Sequence, residues 1–230
     1  MWFDGEFKGL NSRKGEANLN PLSHSLHYGG AVFEGIRFYE IPCGYGRVIF
    51  RLNDHIKRLL ASAQAVSMKI PYSAEQLCGA VLETVRQSNL QAGYIRPAIF
   101  RGEGIGLMTQ GISVHAMVAV MPWDQGPESV ALATTKTIRL HPSSTNINAK
   151  VADHYVNSFM AATEAKKLGA DDALLLDWQG NVAEASVANV FFVKGEKVFN
   201  PKRENIFAGI TRDTVIYLLG FLGIEVEEKD

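Results

Sequence analysis

Apolar residues recur along this chain with two periods, and the switches between them mark out its elements. Trp2-Phe3-Asp4-Gly5-Glu6-Phe7 sets an Asp-Gly pair between aromatic residues, a pair that accepts the positive φ of a tight turn, and so predicts a β-hairpin. Ala31-Val-Phe-Glu-Gly-Ile-Arg-Phe-Tyr39 and Arg47-Val-Ile-Phe50 read as strands. From Asn53 the period lengthens: Ile56, Leu59, Leu60 and Ala63 fall at i, i+3, i+4 and i+7, with Asn53 or Asp54 as the cap of a helix. Ser73 to Ser88 repeats that pattern with Leu77, Val81, Leu82 and Val85 on one face, and Tyr94 to Phe100 returns to strand.

A second region follows once the apolar run Ala116-Met-Val-Ala-Val-Met121 gives way to Pro122-Trp-Asp-Gln-Gly-Pro127. Val130 to Thr135 reads as a strand. Val156, Phe159, Met160 and Thr163 form a helical face, Lys166 and Lys167 suit the negative end of that helix's dipole, and Gly169 stops it. Ala173 to Leu176, a turn at Trp178 to Asn181, Ala188 to Val193 and a turn at Lys194-Gly-Glu196 predict antiparallel sheet. Ala208-Gly-Ile-Thr211 opens a last helix whose Ile216, Leu218, Leu219 and Leu222 supply apolar contacts. These elements predict an α+β fold of two domains, residues 1–121 and 130–230, joined by a linker at 122–129.

Composition narrows the function. With 230 residues, 47% of them apolar, the chain is long enough to bury a sizeable core. Lys+Arg 23 against Asp+Glu 24, with no basic block, argues against nucleic acid. No apolar run reaches the ~20 residues of a membrane helix, and the opening segment resembles no signal peptide, so a cytoplasmic protein with no membrane partner is expected. Cys43 and Cys78 are too few for a disulfide framework or thiolate zinc site, and reduced thiols are expected.

Most of the chain's candidate motifs read as ordinary structure. Gly102-Glu-Gly104-Ile-Gly106 fails the dinucleotide fingerprint, because the third glycine would fall on Leu107 and no helix pattern follows. His24 and His27 sit three apart without a third ligand at metal spacing, so no metal is expected. Cys43 stands in a Pro-Cys-Gly turn with no histidine pattern beside it. Lys150 is different: it follows seven uncharged residues, Ser143 to Ala149, so its ammonium has few local counter-ions. Desolvation of such an amine favours the neutral, nucleophilic form.

Several motifs then occur together. Lys150-x4-Tyr155-x-Asn157-Ser158, Ala170-Asp-Asp-Ala-Leu-Leu-Leu-Asp177, Gly180-Asn-Val-Ala-Glu184, Asn189-Val-Phe191 and Gly209-Ile-Thr-Arg212 stand in the order and spacing of the class IV, fold type IV, pyridoxal-phosphate enzymes, which the chain resembles from about Trp2 to its last residue. His27-Tyr28-Gly29-x3-Phe33-Glu34-Gly35-Ile36-Arg37 resembles the branched-chain amino-acid aminotransferase branch.

The resemblance implies pyridoxal 5'-phosphate as cofactor, held through a Schiff base to Lys150, which also serves as the acid and base of proton transfer. It implies Glu184 against the pyridine nitrogen, Tyr155 on the phenolic oxygen, and Arg58 with Gly209, Ile210 and Thr211 on the phosphate. Phe207, Val187 and Ala188 would line the cofactor, and Tyr28, Phe33, Gly35, Tyr94, Arg96 and Trp123 the substrate. The implied reaction moves an amino group between leucine, isoleucine or valine and 2-oxoglutarate, with glutamate as the other product, in a homodimer or higher homo-oligomer. D-amino-acid transamination or aminodeoxychorismate cleavage on the same scaffold, and a non-catalytic remnant, stand as alternatives. Two departures are visible: Ile112 replaces a tyrosine of many branched-chain enzymes, and the chain ends at Asp230 where family members continue for several dozen residues, so a large domain that is incomplete at its C-terminus is expected.

Overall fold

Asp4 and Gly5 turn the chain at φ 47° and 95°, and the strands they join, β1 (Trp2–Phe3) and β2 (Glu6–Phe7), form the expected hairpin. A computed structural model describes residues 1–8, 19–42, 46–124 and 126–229. The chain divides into two units, Met1–Gln125 with Ala149–Asp153, and Gly126–Asn148 with His154–Asp230.

In the first unit the hairpin continues into an antiparallel sheet with β3 (Val32–Phe33), β4 (Ile36–Glu40), β5 (Arg47–Ile49), β6 (Gly93–Arg101) and β7 (Val114–Met121), in the order β2-β1-β7-β6-β4-β5 with β3 also on β6. The described residues of this unit also form the helices α1 (His24–Tyr28), α2 (Leu52–Ala65) and α3 (Ala74–Gln87). Ile56 and Leu59 of α2 and Leu77 and Val81 of α3 pack with Ile36, Phe38, Ile95 and Ile99 of the sheet into one core. Each such fully buried side chain contributes about 1.5–3 kcal/mol. Ser73 begins α3 with a reciprocal cap, its hydroxyl accepting the Gln76 N–H while its own N–H donates to Gln76 Oε1. Alternation along β6 sends Ile95 and Ile99 into the core and leaves Tyr94 and Arg96 on the opposite face.

Ala149–Asp153 is tied to this unit by backbone. Val151 bridges Val32, the Phe33 N–H donates to the Lys150 carbonyl at 3.2 Å, and the Ala152 N–H donates to the Ala31 carbonyl at 2.7 Å. The Lys150 N–H donates to Ser62 Oγ on α2 at 2.9 Å.

Three expectations need correction here. The strand read as continuous from Ala31 to Tyr39 is two strands, β3 and β4, which keep a single register on β6 (Phe33 opposite Ala98, Ile36 opposite Ile95). The ladder breaks opposite Pro97, which has no N–H to give, although its carbonyl still accepts the Glu34 N–H at 2.9 Å. Helix α2 starts at Leu52, preceded by Arg51 with φ 46° and no side-chain cap; Asp54 instead accepts from Arg51 Nε at 2.7 Å. Leu82 is 56% exposed, because Leu77, Val81 and Val85 make the buried line of α3 and residue 82 lies a further 100° around it. The turn read around Cys43 lies outside the described residues.

The second unit holds two three-stranded sheets. In one, β9 (Asp172–Leu176) lies between β8 (Leu132–Thr134) and β10 (Val182–Ala185); in the other, β12 (Lys197–Pro201) lies between β11 (Phe192–Lys194) and β13 (Val226–Lys229). The antiparallel expectation holds for β9/β10 and β11/β12 only. β8 and β9 are parallel with α4 (His154–Lys167) between them in sequence, and β12 and β13 are parallel with α5 (Ile210–Phe221) between them. A crossover helix is what lets consecutive strands run the same way.

Both helix faces differ from the reading of the sequence. In α4, Val156, Phe159 and Met160 are exposed, and the buried residues are Ala161 and Ala165, packed with Ala173 and Leu175 of β9. Alanines at i and i+4 end at Cβ and allow close approach of helix to strand. In α5, Leu218 and Leu222 are exposed and Ile216 and Leu219 half-buried; the buried residues are Ile210 and Arg212. Arg212 donates from Nε to Asn200 Oδ1 and from Nη2 to Glu228 Oε1, each at 2.5 Å, joining α5 to β12 and β13. The strand expected at Ala188 begins only at Phe192, because the Ala188 carbonyl accepts the Ala185 N–H in a tight turn. Gly169 ends α4 as expected, with φ 83°. Among the described residues no helix is long and apolar enough to cross a membrane.

Candidate active site

On the first unit, the sheet face opposite the core gathers most of the expected substrate residues together with Lys150. The backbone of Lys150 is pinned between β3 and α2, and its Nζ stands 5.4 Å from the centroid of the Phe33 ring. Arg96 lies over the same ring, its guanidinium carbon 4.3 Å from the centroid, and donates from Nη2 to Tyr94 Oη at 2.7 Å. Trp123 stacks on Tyr94 with centroids 4.7 Å apart. Gly35 faces that hydroxyl: a Cβ at residue 35 would come within 2.2 Å of Tyr94 Oη, so only glycine leaves the tyrosine in place. The face thus combines an amine, a guanidinium, a phenol and aromatic walls, a set that suits a ligand with one anionic and one apolar end.

The other side of the same strand carries a buried charge cluster. Glu34, fully buried, accepts from Arg58 Nε at 2.6 Å and Nη2 at 2.7 Å, and His55 Nδ1 lies 2.8 Å from its second oxygen. Burial pushes the Glu34 carboxyl up, but the hydrogen bonds and charges of Arg58 and His55 outweigh it and hold the group below its usual range. Arg58, expected on a phosphate, is therefore held by a bidentate fork to Glu34 from one helical turn of α2 that also presents His55.

On the second unit, donors converge on Glu184. This buried carboxylate of β10 accepts from Arg139 Nε, from Asn189 Nδ2 at 2.9 Å and from the Phe207 N–H at 3.2 Å. The Asn189 amide also donates to the Phe207 carbonyl at 2.9 Å, so one side chain fixes both Glu184 and the segment leading into α5. Gly209 caps α5 without a side chain, and a Cβ there would lie 2.1 Å from Asn189 Oδ1. The N–H groups of the first turn, including Ile210 and the exposed Thr211, follow directly. Tyr155 sits half-buried in the first turn of α4.

Other expected residues lie elsewhere. Tyr28 packs against His24 and His27, and its hydroxyl accepts the Gly106 N–H at 2.9 Å. Val187 and Ala188 occupy the exposed turn after β10. His24 Nε2 is 3.0 Å from the Gly106 carbonyl and His27 Nε2 2.8 Å from that of Pro21, so both imidazoles have backbone partners. Ile112 lies against Gly104, where an added Cβ would meet it at 2.5 Å. Three residues of these clusters are given no role by the sequence reading. Arg139 carries no local pattern that distinguishes it, and Asn189 stands in the Asn189-Val-Phe191 motif without a role of its own. Arg37 stands inside a motif without a role; its guanidinium lies 5.4 Å from the Trp123 ring centroid, and its buried Nε has no hydrogen-bond acceptor among the described residues.

These donor sets fit the cofactor expected from sequence. The first unit carries an amine backed by an aromatic ring, and the second carries a buried carboxylate, a tyrosine and a helix start that only glycine can cap so closely, each a group that the chemistry of a phosphorylated pyridine aldehyde uses.

Comparison with known proteins follows the same lines. The family model described as amino-transferase class IV matches residues 31–230. A branched-chain-amino-acid aminotransferase of Pseudomonas aeruginosa is 38% identical over 236 residues, covering 100% of this chain and 75% of its own length. A branched-chain aminotransferase from Thermoproteus uzoniensis, solved with norvaline, superposes with a TM-score of 0.92 at 39% identity, covering 99% of this chain and 76% of that one. A branched-chain amino acid aminotransferase from Thermobaculum terrenum, solved in its PLP-form, gives a TM-score of 0.87 at 31% identity, over 93% of this chain and 72% of that one.

Proposed function

Because the chain belongs to the amino-transferase class IV family, we propose that Lys150 is its reactive amine and that the residues gathered around Lys150 and around Glu184 divide the work of binding and proton transfer. The fold is that of the fold type IV aminotransferases, and the activity is pyridoxal-phosphate-dependent transamination between branched-chain amino acids and a keto acid. When bound, the cofactor supplies an electron sink for the carbanion formed at the substrate Cα.

The chain's own residues do the rest. Lys150 would hold the cofactor through its side-chain amine and would move the proton at the substrate Cα. Its fixed backbone and the Phe33 ring beneath its ammonium aim the amine. Glu184 offers negative charge to the pyridine nitrogen, oriented by Arg139, Asn189 and Phe207. Tyr155 hydrogen-bonds the phenolic oxygen. Gly209, Ile210, Thr211 and Arg58 hold the phosphate, with Phe207, Val187 and Ala188 along the cofactor.

Phe33, Tyr94 and Trp123 take the aliphatic side chain, and Gly35 keeps room for it. Arg96 takes the distal carboxylate of the dicarboxylate partner, with 2-oxoglutarate as the amino acceptor. The enzyme works as a homodimer or higher homo-oligomer in the cytoplasm. The observation that carries the assignment is the placement of Lys150 Nζ on the face that also presents Phe33, Tyr94 and Arg96.

The test is an absorbance spectrum of the chain with pyridoxal phosphate, before and after L-leucine. A cofactor band that survives dialysis and is bleached by L-leucine but not by D-alanine supports the assignment. Bleaching by D-alanine alone would overturn it.

A further inference from the structure

We propose that Ser113, His115 and Asp4 form a second nucleophilic centre, separate from the transamination residues, that accepts an acyl group from small carboxylic esters. Ser113 Oγ lies 2.9 Å from His115 Nε2, and His115 Nδ1 lies 2.6 Å from Asp4 Oδ2. This is the order and spacing of a nucleophile, its general base and the carboxylate that orients the base.

Each member is held by something other than the triad. Asp4 sits in the hairpin turn at φ 47°, an uncommon conformation for a residue other than glycine, and its Oδ1 accepts the Ala116 N–H at 2.8 Å. The carboxylate is thereby presented to His115 with one oxygen already engaged. The His115 ring is stacked on Phe3, with centroids 5.8 Å apart, and packs against Phe100 at 5.6 Å, which fixes its plane. Ser113, just ahead of β7, is exposed and two residues from His115, so both side chains leave the same face of the chain. Residue 102 opposite them is glycine; a Cβ there would lie 2.4 Å from Ser113 Oγ and 2.6 Å from His115 Nε2.

The Gly102 carbonyl, across the ladder from Ser113, is taken by the His24 N–H at 2.7 Å, and the Ser113 N–H makes no hydrogen bond to the described residues. It is available as a donor to an oxyanion. The cluster shares no residue with the set assigned to transamination. Along β6 it lies at the Arg101 end, seven residues from Tyr94 and three from Ala98, which stands opposite Phe33.

The reaction follows from these atoms. Ser113 Oγ attacks the ester carbonyl as its proton passes to His115 Nε2, while Nδ1 keeps its own proton and donates it in a hydrogen bond to Asp4. The bond to the leaving alcohol breaks as His115 returns that proton to the alcohol oxygen, leaving the acyl group on Ser113. Water then repeats the sequence and releases the carboxylic acid. One available N–H and a partly exposed carboxylate place the activity with activated esters and not with amides.

The test is a burst of p-nitrophenol from p-nitrophenyl acetate by the full chain loaded with pyridoxal phosphate, with mass spectrometry of the adduct and labelling by a fluorophosphonate. The expected result is one acetyl group on Ser113, lost in Ser113→Ala, with transamination retained. Lys150→Ala should keep the burst, which separates it from acylation of the lysine amine. His115→Gln and Asp4→Asn should slow acylation about 100-fold and at least about tenfold, as loss of a general base and of its orienting group require. Ser113→Ala leaves the His115–Asp4 bond intact, so it reads the chemistry even where the other two variants loosen the hairpin. A burst that survives in Ser113→Ala, or label spread over surface residues, overturns the proposal.

Discussion

Glu34 grips Arg58 with both carboxylate oxygens, at 2.6 and 2.7 Å, in a fully buried position where His55 supplies a third contact at 2.8 Å. The two residues are 24 apart in sequence, and the fork ties β3 and the start of β4 to α2. Removing one partner of such a pair strands the other charge, which costs about 3–5 kcal/mol. Glu34→Ala should therefore lower the unfolding free energy by that amount in urea denaturation. A loss below about 1 kcal/mol would show that the pair is dispensable. Because Arg58 is also proposed on the phosphate, the same variant should release pyridoxal phosphate on dialysis more readily than the parent.

The pH dependence of that stability has a defined sign. The Glu34 carboxyl is held below its ordinary value in the fold, Arg58 and His55 outweighing its burial. Its stabilising contribution is thus fully present above the unfolded carboxylate range, about 4.3, and is lost as pH falls through the folded value. The difference in unfolding free energy between the parent and Glu34→Gln should be flat from pH 7 to about pH 5 and shrink below that. A difference that grows on acidification contradicts the assignment.

Why some of this is legible in the sequence and some not comes down to range. The Asp4-Gly5 turn and the Gly169 stop are local, and both stand where the chain predicts them. Lys150 stands out because seven uncharged residues precede it, a local signal again. Strand direction is not local: the apolar run 173–176 announces a strand but not whether its neighbour β8 runs parallel. The α4 face misleads because Val156, Phe159 and Met160 satisfy the helical period while the packing surface is made by Ala161 and Ala165, which register weakly as apolar. Arg139 reaches Glu184 from 45 residues away with a side chain common on any surface, so nothing nearby marks it, while Asn189, five residues away, is marked by its motif but not as a partner of Glu184.

Gly35 sets the position of Tyr94. A methyl group at residue 35 would meet Tyr94 Oη at 2.2 Å, so Gly35→Ala must displace the phenol and with it the Arg96 hydrogen bond and the Trp123 stack. Overpacking of this kind costs about 1–3 kcal/mol. Expressed on substrate, that is roughly a 5- to 150-fold loss of kcat/KM for L-leucine, and Trp123 fluorescence should shift with it. Unchanged kinetics together with unchanged fluorescence would mean that the phenol can move without consequence.

Glu184 tests the second unit. Replacing it with glutamine keeps the shape but turns the Arg139 guanidinium onto a neutral amide and forces one of its three N–H donors to face an NH2 group. An unsatisfied buried donor costs about 1–3 kcal/mol, so Glu184→Gln should unfold at lower urea concentration. Its effect on turnover should exceed its effect on leucine KM, since the carboxylate is assigned to the cofactor and not to the substrate side chain. A pure KM effect would reassign it.

Lys150 gives the sharpest division between folding and chemistry. Its backbone N–H bonds Ser62 and its carbonyl accepts from Phe33, contacts that any residue can make, whereas the ammonium over the Phe33 ring belongs to the side chain alone. Lys150→Ala should therefore fold with an unfolding midpoint close to the parent. It should fail to retain pyridoxal phosphate covalently after borohydride reduction, and transamination of L-leucine should fall by at least the ~10²–10⁴-fold that a positioned acid–base group supplies. Added methylamine should restore part of the proton transfer if the amine acts as acid and base. Full activity in the alanine variant would move the reactive amine to another lysine, and loss of folding would show that the side chain is structural.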